Sequence, residues 1–189
     1  MKTRIVILAL IAFSLTMWHP AEAINKLKKG EHRGFFIGGG LGYGNLAIDP
    51  RNDNPGRDRT RGGAGLVFVG GAVSPDLLLG LDVSVWTREE DNFQITFSNA
   101  TLCLTYYFTP EFFVKGGPAL TKVETELQQG WWGSEAHSES GFGATAGAGW
   151  EFRLGRKVAL LPSAQWMYQS FDDFSSNFFS LTLSIGWFW

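Results

Sequence analysis

The sequence predicts an all-β fold, an eight-stranded antiparallel up-and-down transmembrane β-barrel, and three observations support this prediction. After the first two dozen residues, bulky apolar side chains alternate with glycine, small or polar ones at a period of two. No later stretch approaches the roughly eighteen consecutive apolar residues that a membrane-spanning helix needs. Short turns also alternate with longer polar connections. Since no water satisfies backbone groups inside a bilayer, strands can cross it only as a closed barrel.

The first 23 residues have the composition of a secretory signal peptide. Lys2 and Arg4 give a positive start, residues 5–17 form an uninterrupted apolar or small run, and Ala21 and Ala23 form a small-x-small cleavage site. A membrane-anchoring helix is the alternative, but this run is too short to span about 30 Å of hydrocarbon. We therefore expect Sec-type export, cleavage after Ala23 and a barrel domain over residues 24–189.

Eight strand segments follow, and five of them alternate clearly between two faces. In the first, third and fourth, residues such as Leu41, Leu81 and Leu104 face one way, while glycines, threonines or Asp82 face the other. The sixth alternates alanine and aromatic residues with glycine, and the eighth alternates Leu, Ile and Trp with Thr, Ser, Gly and Phe. The second, fifth and seventh are delimited by turn signals. The predicted segments are residues 35–47, 63–73, 77–87, 93–108, 112–125, 141–153, 158–169 and 177–189.

The connections alternate in length, as they do in outer-membrane barrels. Short turns containing Pro or Gly occur at residues 74–76, 109–111 and 154–156, and longer polar connections occur at residues 49–61, 88–92, 126–140 and 170–176. An exported N-terminus starts in the periplasm, so the first strand must run outward and the short turns must lie on the periplasmic side. Both termini then lie on that side too, which requires an even number of strands.

The composition argues against several function classes. Charged residues make up 18% of the chain, below the roughly 25% that is usual in soluble domains. The formal net charge is −2, so nothing indicates a nucleic-acid partner. Cys103 is the only cysteine, which excludes an internal disulfide framework and favours a packed small residue over a nucleophile.

Strand parity places an internal ion network on the inner face, formed by Asp82, Lys115, Glu151 and Arg153. A charge at the bilayer midplane that faces lipid costs about 2–4 kcal/mol, so the face that carries these charges must be the inner one. Lys115 and Glu151 both come near the periplasmic ends of neighbouring strands. We therefore expect an internal ion pair between them, which Asp82 and Arg153 could join. A polar path for small ions is the functional alternative.

The interior glycines allow two interpretations. They could open the lumen, or they could let large side chains such as Phe36, Trp86 and Met167 cross it. Eight strands leave an interior just wide enough for side chains to fill, which favours packing.

Three motifs carry a resemblance to a known family. They are the run from Gly34 to Gly44, the Val114-Lys115-Gly116-Gly117 segment and the final Ile185-Gly186-Trp187-Phe188-Trp189. Over residues 34–189 the chain resembles the outer-membrane β-barrel domain family, the small OmpA/OmpX-like barrels often called porin-family proteins. The resemblance implies the bacterial outer membrane, with its lipid and lipopolysaccharide, periplasmic chaperones and the barrel-assembly machinery as partners, and we expect a monomer. It implies adhesion, defence, structural or small-pore roles without a shared substrate.

The last predicted strand is the candidate assembly signal. Its outward residues alternate strictly with Thr182, Ser184, Gly186 and Phe188, and the sequence given ends on an aromatic residue. The resemblance implies that the insertion machinery reads such a strand. We expect the leucines and the isoleucine to face hydrocarbon and the tryptophans to lie in the periplasmic aromatic girdle. The residues of this signal are Leu181, Leu183, Ile185, Trp187 and Trp189.

We expect a non-enzymatic protein with a structural or surface-interaction role, or a narrow nonspecific pore. The alternative is a lipid A-modifying enzyme of the acyl hydrolase type, a kind of small barrel that uses a His-x-Ser pair near strand seven. The corresponding residues 166–170 contain no histidine. His137, Ser138 and Glu139 suggest a triad, but adjacent residues on an extended strand point to opposite faces. No catalytic residue is therefore predicted.

The predicted loops contain charged and aromatic residues that could bind ligands. The first loop interleaves acidic residues with arginines, which disfavours a calcium cage, so we expect neither metal nor cofactor. Its arginines could face lipopolysaccharide phosphates, although a solvated mixed-charge loop is favoured. Trp131 and Trp132 are more typical of an interfacial anchor than of a ligand contact. The charged residues of the first loop are Asp49, Asp53, Asp58, Arg51, Arg57, Arg59 and Arg61.

Overall fold

The computed structural model describes residues 32–50, 58–90, 93–129 and 133–189, and nearly all of them lie in β-strands. A two-residue segment, β7, continues β6 beyond Glu151 and pairs with the same neighbour, so the two segments form one strand of the barrel. The elements are β1 (Phe35–Pro50), β2 (Asp58–Ser74), β3 (Leu77–Glu90), β4 (Phe93–Tyr107), β5 (Phe112–Gln129), β6 (Gly133–Trp150), β7 (Phe152–Arg153), β8 (Val158–Ser170) and β9 (Phe174–Phe188).

The strands close into a barrel. Each pairs antiparallel with its neighbours in the chain, and β1 also pairs with β9, from Phe36 opposite Phe188 to Pro50 opposite Phe174. In the part of the described barrel that crosses the bilayer, this closure gives each strand a neighbour on both sides, as a strand in hydrocarbon requires. The predicted all-β, eight-stranded antiparallel barrel is confirmed. No helix in the described part of the chain is long and apolar enough to cross a membrane.

Several strands extend further at the extracellular end than predicted. β1 continues to Pro50, β2 starts at Asp58, β5 continues to Gln129 and β6 starts at Gly133, so much of the polar sequence predicted as loop is paired strand. Above the bilayer both faces of a strand meet water, and the apolar/polar alternation that predicts a strand is then lost. The backbone hydrogen bonds between strands continue above the bilayer even though the apolar/polar alternation has ended.

The outer face carries an apolar band. On β3, the outward side chains Leu79, Leu81 and Val83 are 40–44% exposed, whereas a soluble protein rarely exposes such a continuous patch. From Leu77 to Val85 the strand rises about 27 Å, which a tilt of about 40° reduces to about 21 Å, close to the roughly 25 Å apolar band of outer-membrane barrels. The predicted assignment of outward and inward faces therefore agrees with the requirements of a bilayer.

Large apolar side chains also fill both ends of the lumen, in addition to the small and polar residues expected there. The periplasmic cluster consists of Phe36, Leu66, Phe68, Leu78, Tyr107, Phe113, Ala159, Leu161 and Phe188. The extracellular cluster consists of Leu46, Ala64, Trp86, Phe97, Val123, Met167, Phe171 and Phe178.

Interior glycines provide the space for these rings. A Cβ added at Gly44 would lie 2.3 Å from the ring of Phe178, and one added at Gly70 would lie 2.6 Å from the ring of Phe36. Both distances are too short for a real contact. The glycines therefore serve packing across the lumen, the second of the two interpretations that the sequence allowed.

Candidate functional site

A buried ion pair lies inside the barrel, at the level between the two apolar clusters. Lys115 on β5 donates from Nζ to Asp82 Oδ2 on β3 over 2.7 Å, and both side chains are 7% exposed. The predicted partner of Lys115 was Glu151, and this pairing is wrong. In the register of β5 and β6, Lys115 lies opposite Gly147, four residues before Glu151. That offset is about 13 Å along the strand. Lys115 instead reaches past the intervening strand β4 to Asp82 on β3.

Glu151 belongs to a second buried cluster, at the periplasmic mouth. It is fully buried, and Tyr107 donates its hydroxyl to Oε2 over 2.6 Å. His32 Nε2 lies 2.9 Å from the same oxygen, and Arg153 forms an ion pair with Oε1. The Arg153 guanidinium also lies 4.4 Å from the centre of the Phe188 ring. The carboxylate is therefore neutralised and hydrogen-bonded, as a buried charge must be.

His32 fastens the segment before β1 into this mouth. Its backbone nitrogen donates to the carbonyl oxygen of Pro75 in the first short turn, and its ring nitrogen Nδ1 lies 3.2 Å from the same oxygen. The imidazole ring packs against Tyr107 at 4.0 Å and Phe188 at 5.3 Å between ring centroids. Sequence reasoning missed both His32 and Tyr107, because a histidine ahead of the first strand has no periodic pattern to place it inside.

A chain of hydrogen bonds joins four strands beside the extracellular cluster. Gln169 on β8 donates from Nε2 to Asn99 Oδ1 on β4 over 2.6 Å, and Ser176 on β9 donates to Gln169 Oε1 over 2.5 Å. Asn99 in turn donates to Ser84 on β3. All four residues are buried, so these bonds connect opposite walls of the barrel in a setting where each is strengthened by the low local dielectric.

A small cavity of about 40 Å³ lies beside the Asp82–Lys115 pair and is lined mainly by side chains of the periplasmic cluster. That volume holds a few water molecules at most. The buried hydroxyl of Ser184 lines it and has no hydrogen-bond partner among the described residues. The cavity can therefore keep a few waters between the ion pair and the aromatic side chains of the periplasmic cluster, while the extracellular cluster fills the lumen above the pair.

The predicted assembly strand has the expected orientation in the structure. Its five outward side chains are 42–58% exposed on the lipid-facing side, while its inward neighbours are buried. Recognition of this strand by the assembly machinery stays a prediction. The outward residues are Leu181, Leu183, Ile185, Trp187 and Trp189.

The remaining candidates are the cleavage site, the loop residues, the considered triad and a metal site. Ala21 and Ala23, the loop residues 51–57 and the pair Trp131 and Trp132 lie outside the described residues. Glu139, a member of the triad considered above, accepts a hydrogen bond from the backbone nitrogen of Asp172 over 3.0 Å, so it contacts the β8–β9 turn. The described part of the chain contains no group of three or more His, Cys, Asp or Glu side chains that could hold a metal ion.

Comparison with known proteins supports the same architecture. The family model described as outer membrane protein beta-barrel domain matches residues 5–186. The fold is similar to that of Ail, the attachment invasion locus protein of Yersinia pestis, with 14% identity over 82% of this chain and 99% of that chain and a TM-score of 0.57. It is also similar to Neisserial surface protein A, with 13% identity over 82% of this chain and 97% of that chain and a TM-score of 0.54. No curated protein matches the chain significantly.

Proposed function

Because the chain belongs to the outer membrane protein β-barrel domain family, we propose that it is a non-conducting, non-enzymatic scaffold of the bacterial outer membrane. Its barrel holds the extracellular ends of the strands, and the loops that join them, at the cell surface for contact with other molecules. The observation that carries this proposal is the filled lumen.

The side chains inside the barrel oppose the passage of ions. Trp86, Phe97, Met167 and Phe178 are each at most 2% exposed in the extracellular half of the lumen. An ion would have to displace these side chains and then pass the Asp82–Lys115 pair. Transferring an unpaired charge into such an environment is costly, so the internal charges serve as a structural plug.

The geometry gives little support to the lipid-modifying alternative. His32 is buried in the periplasmic mouth, and the contacts of its ring are with Glu151, Tyr107, Phe188 and the Pro75 carbonyl. It faces the lumen, whereas an acyl chain would approach from the outer face. A hydrolase would also need a serine or comparable nucleophile within hydrogen-bond reach of the base.

The proposed partners follow from the location and the outer face. The apolar band contacts outer-membrane lipid, and its extracellular half contacts lipopolysaccharide. Before insertion the same apolar strands require periplasmic chaperones, and the barrel-assembly machinery reads the last strand. The barrel closes its own sheet edges, which is consistent with a monomer.

Planar-bilayer recording tests this proposal. Refolded protein, verified by its faster migration on unboiled gels, is added to a bilayer in which a known porin gives regular conductance steps. We expect no steady steps above those of the heat-unfolded sample. Reproducible ohmic steps from the folded protein would reject the non-conducting scaffold.

A further inference from the structure

A groove crosses the lipid-facing surface of β3 to β6 in the extracellular half of the barrel. Val83, Ala100, Leu120 and Phe142 lie side by side in the registers of these four strands, and all four line the groove. Leu120 is 62% exposed and Phe142 is 73% exposed, so both stand out from the sheet. Ala100, lying between Val83 and Leu120, makes the surface concave. The groove encloses about 430 Å³.

Polar residues form the upper border of this groove. Ser98, Lys122 and Ser140 are paired side by side, two residues further toward the extracellular end of their strands. On β5, Leu120 is the last apolar outward residue and Lys122 the first charged one. The border therefore marks the level at which the hydrocarbon of the outer leaflet meets the polar headgroups.

Lys122 has the reach and exposure to bind an anion at this border. Its side chain is 48% exposed, and Nζ donates to Glu124 Oε1 over 2.5 Å on the same outer face. An exposed pair of this kind contributes little and exchanges partners readily. An ammonium group is a common ligand of phosphate. Lysine stems extend along apolar surface, so that the charge reaches the polar headgroups of the lipid.

We propose that this groove is a binding site for lipid A, with one acyl chain lying over Ala100 and a phosphate held by Lys122. The inference deepens the lipopolysaccharide contact proposed above and rests on it. The apolar floor accounts for the acyl chain, and the cation at its upper end accounts for the phosphate. Its position in the extracellular half selects the outer leaflet, where lipopolysaccharide is the resident lipid.

Two pairs of variants test the site. Ala100→Phe fills the groove, and Ala146→Phe places the same side chain on an outward position of β6 outside it. Lys122→Gln removes the cation at the border, and Lys157→Gln removes an exposed lysine from a periplasmic turn. All four proteins are first checked for the unboiled-gel shift, which establishes that each barrel is folded.

The readout is the affinity of the detergent-solubilised barrel for diphosphoryl lipid A, measured by titration in native mass spectrometry. We expect Ala100→Phe to weaken binding about tenfold and Lys122→Gln about threefold, while the controls match the wild type. Monophosphoryl lipid A lacking the contacted phosphate should bind the wild type more weakly, with no further loss in Lys122→Gln, because both changes remove the same contact.

Three results would overturn the inference. Unchanged affinity in Ala100→Phe would mean that the groove is not occupied. Equal losses in the control variants would mean nonspecific association with the apolar band. Phosphatidylglycerol binding as tightly as lipid A would assign the groove to phospholipid. Since bilayer conductance does not depend on these variants, failure of this inference is distinguishable from failure of the non-conducting scaffold.

Discussion

Replacing Lys115 with alanine should destabilise the barrel far more than replacing Lys122. Both lysines lie on β5 and contact a carboxylate, but the Lys115 side chain is 7% exposed and the Lys122 side chain 48% exposed. Lys115→Ala leaves Asp82 buried without its counter-charge, which costs about 3–5 kcal/mol. Lys122→Ala removes only a surface pair, which is worth about 0.2–1 kcal/mol.

Urea unfolding of the refolded protein in detergent, followed by tryptophan fluorescence, measures this difference. With a denaturant slope of about 2 kcal/mol per molar, the unfolding midpoint should fall by about 1.5–2.5 M in Lys115→Ala and by less than about 0.5 M in Lys122→Ala. The double variant Asp82→Asn, Lys115→Met should recover most of the loss, because it buries no unpaired charge. Equal midpoints for the two lysine variants would refute the buried pair, as would a double variant no more stable than Lys115→Ala.

Three further predictions concern the mouth, the packing and the assembly strand. His32→Ala removes a partner of buried Glu151 and should lower the free energy of unfolding by about 1–3 kcal/mol. Trypsin should also cut the N-terminal segment of the folded variant faster. An unchanged free energy of unfolding together with an unchanged cleavage rate would contradict the anchoring role of His32. Gly44→Ala should destabilise the barrel, since its Cβ meets an aromatic ring, while Gly63→Ala, whose Cβ meets nothing within 4 Å, should not; matching urea midpoints would contradict the packing. Deleting residues 187–189 should leave little protein in isolated outer membranes, and normal levels there would contradict the assembly signal.

Strand alternation predicted the barrel because a bilayer imposes it on every spanning strand. Residues such as Leu81 and Leu183 had to face lipid, and Asp82 could not. The order of short turns and long connections then gave the direction of each strand. At the extracellular end, where water satisfies both faces, this constraint ends and the predicted boundaries were too short.

Parity predicts which face a side chain occupies and not which neighbour it meets across the lumen. All four predicted charges are inward, but Lys115 pairs with Asp82, and Glu151 with Arg153, His32 and Tyr107. Register and depth decide these partners, and both depend on how the whole barrel closes. The place of His32 was also beyond sequence reasoning, because it depends on the periplasmic mouth that eight separate strand ends create.

The central claim, a lumen filled by side chains, can be tested on the only cysteine of the chain. Cys103 faces the lumen and is 2% exposed. A small water-soluble methanethiosulfonate reagent is applied to the folded protein in lipid vesicles and to the urea-unfolded protein. As a control for the reagent, a Cys103→Ser, Ser138→Cys variant carries its thiol at an exposed extracellular position.

We predict that the control labels rapidly when folded, whereas Cys103 stays unmodified until the barrel is unfolded and is then labelled completely. Labelling of Cys103 in the folded barrel at a rate near that of the control would show a water-filled lumen and contradict the account.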